Sequence, residues 1–262
     1  MSLRILAALA VLSGAAQADD LRDFCADRPG NGTPACTMDP GHLMLEVGLV
    51  DWTRDRQDTA RTDTWTAGDI LLRYGVGEST ELQLGWTAYG EVHTRDTGLD
   101  DRVSGTGDVL IALRQNLQNP DGSGVSVAFM PFLTLPTGGE AIGAGKWSGG
   151  LVLPVGIDLG GDFSLGLTAE LDATPNSERG GHHPAYAGTI GLGIPLTGSL
   201  GASLELTASR DLDPAGHSQE RSAAVSFAWQ VADNIQLDLG SNFGLNRQTA
   251  DAEVYAGIAR RF

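Results

Sequence analysis

Positive charge is scarce in this sequence of 262 residues, which contains 17 Lys and Arg against 33 Asp and Glu. Lys146 is the only lysine. Nucleic acids and anionic lipid surfaces bind proteins through basic patches. The overall charge therefore argues against a nucleic-acid partner and against docking of the protein on anionic lipid.

Long hydrophobic runs are also missing, except for a short one at the N-terminus. Residues 1–18 contain one early arginine, an apolar stretch from Ile5 to Leu12 and a small-x-small ending. This pattern predicts a signal peptide that is cleaved before Asp19, so the mature protein is expected to be exported. The apolar stretch is too short to span a bilayer as a helix, and no later run approaches about 18 apolar residues. Once Arg4 has left with the signal peptide, 16 basic residues face 33 acidic ones, a net charge of −17.

Cysteine is nearly absent, since the sequence has only Cys25 and Cys36. In an oxidising periplasm, an even and closely spaced pair predicts a disulfide. Two free thiols are the alternative, and zinc is disfavoured because third and fourth ligands are not nearby. Residues 19–42, which hold both cysteines, are expected to form an N-terminal periplasmic segment ahead of the first strand.

Helical periodicity is absent too, whereas alternation with a period of two is frequent. In the stretch FSLGLTAELDA, apolar residues from Phe163 to Leu171 alternate with small, polar and acidic ones. The 36 glycines and the low aromatic content of 6% are typical of all-β chains with many tight turns. The pattern predicts twelve strands, at residues 43–54, 62–76, 79–92, 104–118, 123–135, 147–159, 162–173, 185–196, 199–210, 219–231, 234–246 and 251–262.

The connections between the predicted strands are alternately long and short. Those after even-numbered strands are short, such as GE, PDG and GG, and the others are longer, such as TRDTGLDDRV and TPNSERGGHHP. A transmembrane barrel has short periplasmic turns and longer extracellular loops, whereas a soluble β-sandwich has no reason for this asymmetry. Strands in a bilayer must also close on themselves, because an open edge would leave backbone groups unsatisfied. Residues 43–262 are therefore expected to form an all-β, closed, antiparallel, up-and-down transmembrane β-barrel of about 12 strands in the outer membrane of a Gram-negative bacterium.

The sequence ends at Phe262, directly after a strand pattern in which Val254, Ala256 and Ile258 share one face. A C-terminal aromatic residue in this position resembles the signal that the assembly machinery of bacterial outer-membrane barrels reads. Arg260 departs from that signature, since an apolar residue is usual there, but its head group can snorkel to the interface. We expect Phe262 to be an assembly signal, and outer-membrane lipid and the barrel assembly machinery to be partners.

Several stretches of the sequence resemble one known family. They include DFCADRPGNGTPACTMDPG near the N-terminus, SGTGDVLIALRQNLQNPDGSG and FMPFLTLPTG in the middle, and the closing YAGIARRF. These stretches resemble the outer-membrane transporters assigned to the meta-pathway of phenol degradation, and the resemblance covers nearly the whole mature chain. It implies an exported barrel that transports small organic compounds, including aromatic ones. It brings no catalytic motif and no cofactor.

Strand parity divides the side chains between the lipid and the lumen. With Leu82, Leu84 and Trp86 facing outward, Glu81 and Gln83 face the lumen. Numerous inward polar residues are typical of a barrel lumen and are excluded from a packed soluble core. The charged residues predicted to line the lumen and to set its selectivity are Glu46, Asp69, Arg73, Glu81, Asp108, Arg114, Glu170, Glu205, Asp238 and Glu253.

Five of these residues are expected to form one charge cluster in the periplasmic half of the wall. If the first two strands fold about the predicted loop at residues 55–60, Glu46 lies opposite Asp69. The next turn, at residues 77–78, places Arg73 diagonal to Glu81. Arg114 lies on the following strand. Two interpretations stay open, a mutually satisfied ion network that fills the barrel and a selectivity zone for a polar or charged solute. The N-terminal segment would also be able to plug a narrow barrel.

The expected function is passive or substrate-selective diffusion of small solutes through a polar, net-acidic lumen, which would favour cations. The alternative is a closed structural or enzymatic barrel whose lumen charges form an internal salt-bridge network. A soluble exported binding protein is a third hypothesis. Neither catalytic residues nor a metal site are predicted, because loop histidines such as His182 and His183 are usually solvated and no Ser-His spacing recurs.

Overall fold

The computed structural model of the protein describes residues 21–139 and 141–262. The predicted signal peptide, residues 1–18, lies outside this part of the chain. In the described residues, no helix is both long enough and apolar enough to cross a membrane.

The described chain forms a single antiparallel sheet that closes on itself. Strand β1 pairs with β2 on one side and with the last strand, β13, on the other, and β2 pairs in turn with β3. Two short strands, β4 and β5, both pair with β3 and together occupy one position in the wall. The prediction of a closed all-β barrel of about 12 strands is confirmed. The strands are β1 (Leu43–Gln57), β2 (Ala60–Gly77), β3 (Thr80–Asp96), β4 (Leu99–Gly105), β5 (Val109–Gln118), β6 (Val125–Leu135), β7 (Ser148–Gly160), β8 (Phe163–Pro175), β9 (His182–Pro195), β10 (Leu200–Asp211), β11 (Ser218–Ala232), β12 (Ile235–Gly244) and β13 (Ala252–Arg261).

The wall differs from the predicted strand 104–118, which is interrupted at residues 106–108. Here the amide of Gly107 still donates to the carbonyl of Thr87 in β3 over 2.8 Å, but the carbonyl of Thr106 accepts a bond over 3.2 Å from the amide of Gly139 in the loop between β6 and β7. The carboxylate of Asp108 accepts bonds from the backbone amides of Gly138 and Ala144, each over 2.8 Å. A local sequence pattern does not reveal such a competition, because the loop lies some 30 residues further along the chain.

Two of the predicted extracellular loops are tight hairpins. Strands β1 and β2 join through residues 58–59, and β3 and β4 join through residues 97–98. Asp58 and Gly98 take positive φ angles of 52° and 80°, which tight two-residue turns require. The strands therefore extend beyond the predicted loop positions.

The barrel is apolar outside and polar inside. Large hydrophobic side chains such as Leu82, Leu84 and Trp86 are exposed on the outer face, whereas Glu46, Arg73 and other charged side chains are fully buried. This distribution is the inverse of that of a soluble protein and is suited to a wall in contact with lipid tails. The backbones of Leu43 and Phe262 are hydrogen-bonded to each other, at the end of the barrel that also holds the short turns. This end is the periplasmic end of an outer-membrane barrel.

Candidate functional site: a plug held in the lumen

Residues 21–42 run inside the periplasmic half of the barrel, and we call this segment the plug. Three carboxylates of the wall accept hydrogen bonds from its backbone. Glu46 binds the amides of Asp27 and Arg28 over 3.0 and 2.9 Å. Glu81 binds the amide of Met38 over 2.8 Å, and Glu205 binds those of residues 31 and 32 over 2.7 and 3.2 Å. The wall thus supplies acceptors for an irregular backbone that has no ladder of its own.

Arg73 and Arg114 bind three carboxylates at the centre of this contact. Arg73 lies 3.1 Å from Glu46, 3.0 Å from Glu81 and 2.9 Å from Asp27 of the plug. Arg114 lies 2.6 Å from Asp27 and 3.2 Å from Glu81. The four wall side chains are completely buried. We call these five residues the central ion network.

The central ion network exists because four neighbouring strands present inward positions at the same height. Glu81 on β3 pairs directly with Arg114 on β5, and it lies diagonal to Arg73 on β2, whose own partner is Gln83. Residues opposite each other on one face have Cβ atoms about 5 Å apart, within reach of an ion pair. The sequence alone predicted this arrangement for Glu46, Arg73, Glu81 and Arg114.

Asp69 does not join the central ion network, contrary to the sequence-based expectation. It pairs with Gly48, while Glu46 pairs with Leu71, and its carboxylate accepts a bond from the Thr87 hydroxyl over 2.9 Å. The cause is the position of the first hairpin turn, which is centred at residues 58–59. A turn one residue later than expected shifts every pair on the two strands by two residues.

The disulfide loop of the plug is attached to both arginines. Cys25 and Cys36 form a disulfide, as predicted. The carbonyl oxygen of Cys25 accepts a bond from Arg73 over 2.7 Å, and that of Cys36 accepts one from Arg114 over 3.2 Å. Each guanidinium therefore holds one end of the disulfide loop as well as the carboxylate of Asp27.

The two arginines favour the ionised form of Asp27. Burial by itself would raise the pKa of its carboxyl group, but the charges of Arg114 and Arg73 outweigh that effect and hold the pKa below its usual value. The network contains three carboxyl groups and two guanidinium groups, and backbone amides of the plug donate hydrogen bonds to Glu46 and Glu81.

Arg28 attaches the plug to the neighbouring part of the wall, on β12 and β13. Its guanidinium lies 2.9 Å from the carboxylate of Asp238 and 5.4 Å from the ring centre of Tyr255. Burial would lower the pKa of Arg28, but the hydrogen bond and charge of Asp238 raise it. A side chain at Gly257 would collide with this guanidinium, because an added Cβ would overlap its Nε atom. The glycine thus leaves space for the plug.

The other predicted lumen residues lie at different heights. Glu253 accepts a bond over 2.8 Å from Asn242, which itself accepts one from Asn31 of the plug over 2.8 Å. Glu170 lies above the plug and, together with Asp172, Lys146 and Phe132, lines a cavity of about 540 Å³. Asp108 holds the loop between β6 and β7, as described above.

Sequence reasoning missed Asp27 and Arg28, two of the charged side chains with which the plug binds the wall. They lie in an irregular segment, so that no strand parity assigns them a direction. A usable signal was the glycine content of inward positions: Gly48 and Gly257 both face Arg28 of the plug. The described residues contain no group of three His, Cys, Asp or Glu side chains that could hold a metal ion.

The fold is similar to those of solved outer-membrane barrels. An outer-membrane channel from Pseudomonas putida F1 matches with a TM-score of 0.68 and 13% identity, over 90% of this chain and 99% of that chain. The β-domain of the Bordetella autotransporter BrkA matches with a TM-score of 0.55 and 14% identity, over 86% and 100% of the two chains. The NanC porin matches with a TM-score of 0.53 and 8% identity, over 83% and 98%. None of the three is described as an enzyme.

These similarities, at such low identities, show the fold, which is that of an outer-membrane β-barrel. No match was found among curated proteins. The sequence profile of one family, described as "Putative MetA-pathway of phenol degradation", matches residues 26–262. Because this match covers most of the sequence, the chain belongs to that family.

Proposed function

We propose that the protein is an outer-membrane channel for small solutes whose periplasmic end is closed by the plug. The observation that carries this proposal is the nature of the obstruction. The lumen is filled by a segment outside the wall, held by hydrogen bonds and ion pairs, and not by side chains of the wall alone. Residues 21–39 of this segment can leave without breaking the pairing between any two strands of the wall, so we infer that the plugged barrel has an open counterpart.

The family description suggests the class of solute. Phenol degradation requires small aromatic compounds to enter the cell, and we infer that the channel admits such compounds by passive or substrate-selective diffusion. The cavity above the plug combines the ring of Phe132 with polar and charged side chains, a composition that suits a small molecule with an apolar ring and a polar group. We further infer that the protein is not an enzyme, since the titratable groups that contact the plug are held in ion pairs and hydrogen bonds.

The position of Phe262 bears on how the barrel is assembled. Phe262 lies at the periplasmic end with its backbone paired to Leu43, and its ring is half-exposed beside the guanidinium of Arg260. This position leaves the ring accessible, and we infer that the barrel assembly machinery reads it.

Removal of the plug is expected to open the channel. The full-length protein should conduct weakly in a planar bilayer, whereas a variant that lacks residues 21–39 should show large stepwise openings. Full-length Arg247→Gln, changed at a rim side chain that is 93% exposed, is the control and should conduct like the parent. Folding of each variant is checked by heat-modifiable mobility in detergent gels.

Two other outcomes would contradict the proposal. If the full-length protein and the deletion variant conduct equally, the plug does not obstruct the lumen. If the deletion variant is folded but silent, the barrel is a structural one.

The open channel is expected to favour cations. Glu170 and Asp172 face the lumen above the plug on neighbouring inward positions of β8, and rings or pairs of carboxylates attract cations in a pore. In the deletion variant, Glu170→Gln with Asp172→Asn should lower the cation-to-anion permeability ratio, measured from reversal potentials in a salt gradient. Asp162→Asn, in a periplasmic turn, is the matched control. An unchanged ratio in the double variant would show that these carboxylates do not set the selectivity.

A further inference from the structure

A group of arginines lies on one side of the extracellular end of the barrel. Arg54 on β1, Arg61 on β2 and Arg95 on β3 all bind the carboxylate of Asp63, with N–O distances of 3.0, 2.7 and 3.1 Å. We call these four residues the arginine cluster. Three guanidinium groups around one carboxylate leave two positive charges uncompensated within the cluster. Such a local excess is unexpected in a chain with a formal net charge of −16.

The cluster faces away from the lumen. Tyr255 points inward, where its ring contacts Arg28 of the plug, so its neighbour Val254 points outward and is 41% exposed. Trp52 pairs with Val254 and also with Trp65. Because paired residues of a sheet share one face, both tryptophans point outward.

The strand pairing places the arginine cluster on this same outer face, nearer the extracellular end. Arg54 lies two residues after Trp52, and Asp63 lies two residues before Trp65, and these two pair with each other. Asp63 pairs in turn with His93, and Arg61 with Arg95. Alternate residues of a strand share a face. The arginine cluster therefore lies on the outer surface, directly beyond the tryptophan pair.

The height of the cluster is that of lipid head groups. The two tryptophan rings lie 5.8 Å apart, and aromatic residues at the ends of the apolar band mark the interface of a membrane barrel. Two residues of a strand add about 7 Å, which is the step from the edge of the hydrocarbon to the charged layer. The cluster is attached to the tryptophans as well: the Arg54 guanidinium lies 4.4 Å from the centre of the Trp52 ring, and the Trp52 indole donates to Asp63 over 3.3 Å.

The side chains of the cluster are held in place. His93 is buried and accepts a bond from Arg95 over 2.7 Å through its Nδ1 atom, while its Nε2 atom lies 2.6 Å from Asp100. Such bonds fix the direction of the Arg95 guanidinium. Arg61 and Arg95 keep 37% and 41% of their side-chain surface exposed, so donors remain available to an external anion. On the outer surface of β1–β4 around the cluster, which also holds Arg56, Arg102, Glu91 and Asp100, five arginines face three carboxylates.

We propose that the arginine cluster binds a phosphate group of a lipid in the outer leaflet. Arginine forms bidentate, charge-assisted bonds with phosphate, and the cluster is continuous with the surface that contacts the acyl chains of the same lipid. A phosphorylated glycolipid of the outer leaflet fits both parts, with its chains against the tryptophans and its phosphate against Arg61 and Arg95. The overall charge of the chain argued against anionic lipid, because a sum over all residues does not show a local excess. The proposal does not depend on transport through the lumen.

The test is native mass spectrometry of the full-length protein in detergent, titrated with diphosphorylated lipid A. The parent should retain one lipid A, and Arg61→Gln with Arg95→Gln should weaken its binding by more than about tenfold, because the loss of a single charge-assisted contact already corresponds to about tenfold. Arg247→Gln removes a rim charge outside the cluster and should change the affinity by less than about twofold. Asp63→Asn frees the three guanidinium groups and should strengthen binding. Because Asp63→Asn is expected to change the affinity in the opposite direction, it tests the proposal even if the double variant does not fold. Unchanged or weaker binding by Asp63→Asn would contradict the proposal.

Two further arms identify the source of the phosphate. Lipid A from which both phosphates have been removed should bind the parent as weakly as diphosphorylated lipid A binds the double variant. Inorganic phosphate at the concentration of the lipid should not displace it. Equal affinity of the parent and the double variant would overturn the proposal, as would tight binding of the dephosphorylated lipid. Displacement by inorganic phosphate would show a site for a free anion and would also overturn it.

Discussion

Arg73→Met is expected to destabilise the plugged barrel by about 3–5 kcal/mol, the usual cost of removing one partner from a buried ion network. The side chain is fully buried and binds Asp27, Glu46 and Glu81, so its loss leaves three carboxylates with one guanidinium. Water would have to enter to solvate them, which displaces the plug. We expect a lower melting temperature and frequent openings in a planar bilayer, where the parent conducts only weakly.

A second substitution distinguishes the effect of the unpaired charge from the effect of the lost side-chain packing. Arg73→Met with Glu81→Gln removes the unpaired carboxylate as well, and should recover part of the lost stability. Arg247→Met, on the exposed rim, should stay within about 0.5 kcal/mol of the parent. If Arg73→Met alone is as stable as the parent and conducts as weakly, the central ion network does not hold the plug.

Cys25→Ala with Cys36→Ala is expected to raise the open fraction of the channel about 100-fold. The disulfide joins residues 11 positions apart, and closing a loop of about that size removes about 3 kcal/mol of chain entropy from the unfolded segment. Without the disulfide, the released plug has a higher conformational entropy, which favours the open state, while the wall is unchanged. Because tenfold corresponds to about 1.4 kcal/mol, the ratio of open to closed states shifts by about two decades. The measurement is the open fraction in long single-channel recordings.

Reduction supplies the control for this prediction. A thiol reductant added to the parent should reproduce the effect of the double substitution, and the same reductant should leave the double variant unchanged. An open fraction that is the same with and without the disulfide would show that the ion pairs alone fix the plug.

Much of the wall could be predicted from the sequence, because strand alternation is a local property. Leu82, Leu84 and Trp86 were assigned to the outer face from parity alone, and they are exposed there. The same parity places Glu46, Arg73, Glu81 and Arg114 inside, and the structure brings these four together. The signal is strong because each strand repeats it over many residues.

Register was less predictable than parity. The expected pair of Glu46 with Asp69 is displaced by two residues, since the first turn is centred one residue later than the sequence suggested. The interruption at residues 106–108 depends on a distant loop that bonds to the backbone there. Neither feature has a local signature, because both depend on which segments meet in space.

The sequence by itself determined the class of the protein, its closed barrel, its disulfide and the polar character of its lumen. Only the tertiary structure decided that residues 21–42 lie inside the lumen, and which contacts hold them there. The contacts that hold the plug join residues far apart in the chain, such as Arg28 and Asp238, which are separated by 210 positions. An irregular segment has no periodicity from which its direction can be deduced. Its position is fixed by the carboxylates and guanidinium groups that the closed wall brings to one height.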